Sequence, residues 1–438
     1  MVEDLLLVLL TVGIYAISAG RRFGHFSAIS LFIYAQSAMA VGTLSLLSTG
    51  IQADTVHRDL ILATLGILVG VAMIFAFTSR TTAKRGNEPS VDYSYPKVSV
   101  WTWIWISLAI TALYYWSVGY LAFFESIQAI IAGSDIDISG LRLESYSGSR
   151  YFFPGYVNQF KNSLLPALAL VVIISAFHFQ TRRRYLMTFL LSIAGVIALL
   201  GTGQRGAFVI VALVGVVMTS LIKPRESGKY LFRAAIIGVP IFFLATFAGG
   251  RANSALQQAG GADDVISVLF SQLVFRLFGS NQYSSVVGFR YVFDREITNG
   301  GEWARGIIGL IPGQPGSDLS NQIYAVFYGT TRGTAPVSVW GSAFHNFGFA
   351  GAVVVALVLA VILCLLSISS KNIAETNLIR TAGVAGVTVT LGMWIADGPT
   401  SLLNTGIGLY TLLWWWGSVI ASRKAKLAPL STEVAHGG

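Results

Sequence analysis

The chain has 438 residues, of which 54% are apolar and only 11% charged, and its mean hydropathy is +0.68. A soluble protein of this length carries about a quarter charged residues, so water is excluded as the solvent for most of the chain. The formal charge is +9, and the lone cysteine, Cys364, lies in an apolar run, which excludes a disulfide framework and any cysteine-based metal site.

Charge-free windows then predict transmembrane helices in chain order, each set against a hydrocarbon core of about 30 Å. They are Leu5 to Gly20, Ser27 to Thr49, Leu60 to Thr78, Val98 to Phe124, Ser163 to Phe179, Tyr185 to Leu200, Ala207 to Ile222, Ala234 to Ala248, Val337 to Ile368, Thr381 to Ala396 and Thr405 to Ser422. The first window is flanked by Glu3 and Asp4 before it and Arg21-Arg22 after it, the reverse of a signal peptide's charge order, so it is read as a span. The expected fold is therefore an all-α polytopic membrane protein of about eleven spans, residues 1–438 forming one integral membrane domain.

With the first span running outside to inside, 18 of the 29 lysines and arginines fall on one face, in short loops and the C-terminal tail. The positive-inside rule assigns that face to the cytoplasm. The N-terminus is then expected outside and the C-terminus in the cytoplasm. Basic charge distributed this way serves topology, and nucleic acid is not expected as a partner.

Two outer segments exceed tight connections: residues 125–162, a first periplasmic loop, and residues 249–336, a large periplasmic loop expected to carry the active site. Both are rich in tyrosine, phenylalanine and leucine and can bury apolar area, so short amphipathic helices on the outer surface are expected, with Val265 to Phe278 showing the spacing.

Ten of the eleven basic residues assigned outside are arginine, and six of those (Arg251, Arg276, Arg290, Arg295, Arg305 and Arg332) lie in the large loop. Arginine's planar fork suits phosphate and carboxylate, whereas a general attraction to anionic lipid would be met equally by lysine. The bland alternative is a solvated loop balanced by its own carboxylates. Arg205 stands in Gly201-Thr-Gly-Gln-Arg-Gly206 between two short apolar helices, where an arginine at membrane depth marks a functional site unless it merely snorkels. Those six residues spell a dinucleotide fingerprint, but a membrane helix precedes them where a strand is required, so that reading is dismissed. No P-loop lysine and no His-Glu-x-x-His pair is present. Of the two histidines assigned outside, His57 sits in a short loop and His345 in Trp340-Gly-Ser-Ala-Phe-His-Asn-Phe-Gly348. An imidazole there suits proton removal from a sugar hydroxyl, and Glu302, Asp318 and Asp397 are rival bases. Gly66, Gly70, Gly348 and Gly351 are read as packing positions.

The helix pair broken by Thr-Gly-Gln-Arg-Gly, the large outer loop, and Ser-Ala-Phe-His-Asn-Phe-Gly-Phe-Ala-Gly at the following helix resemble the Wzy-type oligosaccharide repeat unit (O-antigen) polymerases and, more distantly, the O-antigen ligases. Arg-x10-Gly patterns associated with such polymerases recur at Arg290 to Gly301, Arg295 to Gly306 and Arg305 to Gly316. The resemblance implies a GT-C-like membrane glycosyltransferase of polysaccharide or lipopolysaccharide biosynthesis. Its partners would be undecaprenyl-diphosphate-linked oligosaccharides and the lipid bilayer, with a chain-length regulator and a flippase as companions. Catalysis would fall to Arg205, Arg276, Arg290 and His345, and substrate binding to Arg251, Arg332, Asp318 and Asn346, with His345 or Asp318 as base. No metal and no cofactor is implied, and attack opposite the leaving group implies inversion at the anomeric carbon. An O-antigen ligase is the alternative within the enzyme class. A transporter or flippase of lipid-linked oligosaccharide is the alternative outside it; that function predicts repeat symmetry and charge at mid-span, neither of which the sequence contains.

Overall fold

A computed structural model of the chain describes residues 2–79, 90–132, 154–180, 182–202, 206–226, 281–331, 333–371 and 375–434, with a few single residues between them. Among these, five helices are long and apolar enough to cross a membrane: Ala28–Leu46, Gln52–Thr78, Lys97–Val118, Gly155–Phe179 and Val339–Ser370. Shorter apolar helices accompany them, and the whole fits a multi-pass, all-helical membrane protein. The expected span Ala234 to Ala248 and the amphipathic segment Val265 to Phe278 lie mostly outside the described residues. In place of the expected single integral membrane domain, the packing of the chain divides into two compact units.

Unit 1 comprises residues 1–81, 251–369 and 391–403. Its helices are α1 (Val2–Ile17), α2 (Ala19–Phe23), α3 (Ala28–Leu46) and α4 (Gln52–Thr78), and later in the chain α11 (Asn281–Phe293), α12 (Gly301–Ile308), α13 (Leu319–Tyr328) and α14 (Val339–Lys371), whose last residues pass into unit 2. Local chemistry sets the helix starts. Glu3 and Asp4 complement the positive end of α1, and Ser27 caps α3 by accepting from the Ser30 backbone N–H at 3.4 Å. Tyr15 and Ser30 share a buried hydrogen bond of 2.8 Å, which satisfies two hydroxyls inside an apolar core of α1, α3, α4, α11 and α14.

Helix α4 begins eight residues before the window Leu60 to Thr78, at Gln52. Asp54, His57, Arg58 and Asp59 thus belong to the helix itself rather than to a loop. Helix α14 is kinked at Gly348, whose φ of 68° and ψ of −172° are open to glycine alone. Gly348 therefore does more than pack. Breaking the ladder there frees carbonyls one turn earlier: His345 accepts from the Thr298 N–H at 3.0 Å and Asn346 from the Gly300 N–H at 3.1 Å. A turn at Asn299 and Gly300, both at positive φ, turns the chain so that it meets those carbonyls and then enters α12.

Unit 2 comprises residues 82–250, 370–390 and 404–438. It contains β1 (Ser90–Asp92), α5 (Lys97–Val118), α6 (Ala122–Ala132), α7 (Pro154–Gln159), a π-helical turn (Phe160–Leu164), α8 (Leu165–Phe179), α9 (Arg182–Leu200), α10 (Gly206–Ile222), β2 (Glu375–Asn377), α15 (Leu378–Gly392) and α17 (Ile407–Val434); the short α16 (Thr400–Asn404) precedes the last of these. The expected span Val98 to Phe124 divides here. Gly119, left-handed with φ 84°, caps α5, and a separate amphipathic helix, α6, follows. Strands β1 and β2 form a parallel pair with Ser90 opposite Glu375, an element absent from the all-α expectation. Asn377, at the end of β2, caps α15 by accepting from the Arg380 N–H and donates to the Gly417 carbonyl at 2.7 Å. Gly383 and Gly386 let α15 approach α17 so closely that a Cβ at either would overlap Trp414 or Tyr410.

Candidate functional site in the helix-loop-helix region of unit 1

The described parts of the large loop gather polar side chains against the start of α14. Asn346 is fully buried and organises the region: its Oδ1 accepts from the Thr298 hydroxyl at 3.1 Å and the Trp303 N–H at 3.2 Å, and its Nδ2 donates to the Ser342 carbonyl at 2.9 Å. Trp303 adds a hydrogen bond from its indole N–H to the Ser342 hydroxyl at 2.9 Å. These bonds lock α12 onto α14. The amide of Asn346, expected to bind substrate, is thus engaged within the protein.

His345, beside it, is 7% exposed, and its Nδ1 is buried with no hydrogen-bond partner. The charged groups close enough to act on it are Glu302, Arg295 and Arg305. Glu302 is buried on the first turn of α12, takes a hydrogen bond from the Ser317 hydroxyl, and lies 3.7 Å from Arg305 Nη1 through its other oxygen. The same Nη1 is 3.9 Å from Asp318, which accepts from Gln322 at 2.6 Å; Gln322 in turn accepts from the Tyr291 hydroxyl at 2.8 Å. Arg295 lies 4.0 Å over the Tyr291 ring. A continuous polar strip therefore runs from Arg295 through Asp318 and Arg305 to Glu302 and the neighbourhood of His345.

Asp397 completes the group from the loop after α15. Its backbone is left-handed, with φ 56°, and its N–H donates to the Val337 carbonyl at 2.8 Å. Burial pushes its carboxyl from an ordinary value of 3.8 up to about 7; a backbone hydrogen bond from Val337 opposes the rise and the nearby negative charge of Glu302 adds to it. Burial disfavours the charged form, so Asp397 holds its proton into the neutral range. Next to it, Gly398 approaches the Trp303 indole so closely that a Cβ would come within 2.8 Å.

Arg290 belongs to a second polar group. It grips Asp54 with two hydrogen bonds of 2.7 Å, from Nε and Nη2, and Asp54 also accepts from the Ser48 N–H at 2.7 Å. Asp54 is 2% exposed, whereas Arg290 is about a third exposed, so the pair closes α11 onto α4 while Nη1 of Arg290 has no partner among the described residues. The hydrogen bond to Asp54 raises the Arg290 pKa further and keeps it charged. His57 stacks on Phe289 with ring centroids 4.1 Å apart, and both its nitrogens are buried without partners. That burial removes it from any solvent-side proton transfer.

No protein family, no characterised protein and no solved structure matches this chain. Arg205, Arg251, Arg276 and Arg332 lie outside the described residues. Of the other expected site residues, His345, Asn346 and Asp318 fall in one polar region, with Glu302 and Asp397 added from the rival bases, and Arg290 is held by Asp54. Asp54 escaped notice because its partner is 236 positions away, a separation with no local signature. Arg305 was legible in principle, as the i+3 partner of Glu302 on a short amphipathic segment. Among the described residues, no three histidine, cysteine or carboxylate side chains are gathered closely enough to hold a metal ion.

Proposed function

We propose that the chain is an inverting membrane glycosyltransferase that polymerises undecaprenyl-diphosphate-linked oligosaccharide repeat units on the periplasmic face of the inner membrane. The observation that carries this reading is the convergence of Asp397, Glu302 and His345, with Arg305 alongside, at the start of a kinked apolar helix. Such a group can remove a proton near neutral pH beside a guanidinium, which is what transfer from a lipid diphosphate requires. The acceptor hydroxyl gives its proton to Asp397 and attacks the anomeric carbon. The bond from that carbon to the diphosphate oxygen breaks, and its electron pair leaves with the diphosphate. Arginines stabilise the departing charge: Arg305 and the free edge of Arg290 from the described residues, and Arg205, Arg276, Arg251 and Arg332 from the sequence. The donor carries its own activated bond, so the transfer needs no nucleotide.

His345 favours a second reading, transfer to a lipid A core by an O-antigen ligase, since the ligases carry a histidine near the end of this loop. Acceptor competition in isolated membranes separates the two. The polymerase reading is tested by alanine replacement of Arg205, Arg276, Arg290 and His345 and by Asp397→Asn, scored for membrane expression and for the ladder of polymerised glycan. The expected result is a ladder collapsed to single repeats, with expression retained except in Arg290→Ala, which also loses the Asp54 pair; a full ladder in all five variants overturns the assignment.

A further inference from the structure

Unit 2 contains a cavity of about 380 Å³ lined by Tyr95, Lys97 and Trp101 at the start of α5, Val172, Ser175 and Ala176 near the end of α8, and Met187 near the start of α9. Helices α8 and α9 are joined by Gln180 and Thr181 alone, so all three elements bring their ends to the same depth. For helices that cross a bilayer, that depth is the headgroup boundary, where tryptophan and tyrosine concentrate. Most of the lining is apolar, from Trp101, Val172, Ala176 and Met187.

The lining also contains two polar groups that are unused among the described residues. Lys97 is exposed at the mouth and has no carboxylate partner among the described residues. Ser175 is 3% exposed, yet its hydroxyl makes no hydrogen bond within the protein, although a serine in a helix ordinarily bonds to the carbonyl four residues back. The first turn of α5 has no side-chain cap, which leaves its N–H groups and the positive end of the helix dipole at the same place.

We infer that this cavity binds one anionic phospholipid, with its phosphate on Lys97 and Ser175 and the upper part of an acyl chain along Trp101, Val172, Ala176 and Met187. The amphipathic lining selects the occupant. A free phosphate would leave the apolar wall wet, and a zwitterionic lipid would bring a second cation to Lys97. The inference rests on the membrane reading of the helices and is independent of the polymerase reading.

The test is native mass spectrometry of the full-length protein in detergent with dioleoyl phosphatidylglycerol or dioleoyl phosphatidylcholine at equal concentration. Wild type should retain the anionic lipid about fivefold over the zwitterionic one, the factor expected for one lysine at an anionic surface. Lys97→Gln should abolish the preference and Lys97→Arg keep it. Ser175→Leu, which fills the cavity, should lower retention of both lipids, and Lys223→Gln, which removes an exposed cation already paired with Glu226, should change nothing. If Lys97→Gln fails to fold, Ser175→Leu and Met187→Trp decide by the same readout. Equal retention of the two lipids by wild type, or unchanged preference in the folded variants, overturns the proposal. So does displacement of the lipid by inorganic phosphate alone.

Discussion

The two units handle buried charge in opposite ways. In unit 1 the buried carboxylates Asp54 and Glu302 are answered by partners, Asp54 by Arg290 and a backbone N–H and Glu302 by Ser317 and Arg305, while Asp397 is answered by holding its proton. In unit 2 the fully buried Lys161, in the π-helical turn, has among the described residues one acceptor, Asn162 at 2.9 Å, and the face of Tyr114 at 5.6 Å. A paired charge holds a fold together when both members are present, whereas a cation left short of partners costs desolvation without return. Unit 1 therefore uses buried charges to position helices, whereas the buried Lys161 of unit 2 costs desolvation that its neighbours offset only in part. π turns in α-helices cluster at functional sites, which makes Lys161 a candidate for one in unit 2.

Substitutions can break this contrast, beginning with the largest effect. Arg290→Ala strands Asp54 without its counter-ion and should destabilise the protein by about 3 kcal/mol, read as a lower melting temperature in detergent. The double variant with Asp54→Ala should recover much of that loss. Gly348→Ala forces a side chain into a backbone conformation reserved for glycine, and its Cβ would meet Ile297 at 3.0 Å. A cost of about 1–3 kcal/mol is expected, with loss of polymerisation as the Thr298–Gly300 turn shifts. Lys161→Met should move the other way, raising stability on the order of 1 kcal/mol. A lowered melting temperature there would show that unit 2 depends on its cation as unit 1 does. Arg305→Ala should be smallest in stability, within about 1 kcal/mol because the side chain is half exposed, while its effect on polymerisation is large.

Much of the architecture was legible because charge is so scarce: a charge-free window is a strong statement in a membrane chain, and most windows coincide with helices. What such windows miss is backbone chemistry. Nothing apolar distinguishes Gly119 as the cap that splits Val98 to Phe124, or Gly348 as the kink, since both effects arise from φ. Helix α4 was read too short because Asp54, Arg58 and Asp59 resemble a loop until Asp54 is seen to be neutralised by Arg290. In the site, His345, Glu302, Asp318 and Asp397 stood out as residue types; Asn346 was noticed for its place in a motif, and its task as a clamp depends on contacts with Thr298 and Trp303. The β1–β2 pair unites segments almost three hundred residues apart, beyond the reach of local pattern.

The account turns on Asp397 as a proton acceptor. Because its folded pKa lies near 7 and its unfolded value near 3.8, the folded protein keeps a proton that the unfolded chain loses, so stability should fall as pH rises between those values and level off above. Activity should follow the opposite course, since the base works only when deprotonated. The most direct measurement is the initial rate of glycan polymerisation against pH in isolated membranes, for wild type and for Asp397→Asn of equal expression and melting temperature. The wild-type rate should climb through about pH 7 and then plateau, and the variant should lose about a hundredfold or more in rate together with that climb. A variant that polymerises at the wild-type rate with the same pH profile would contradict the account.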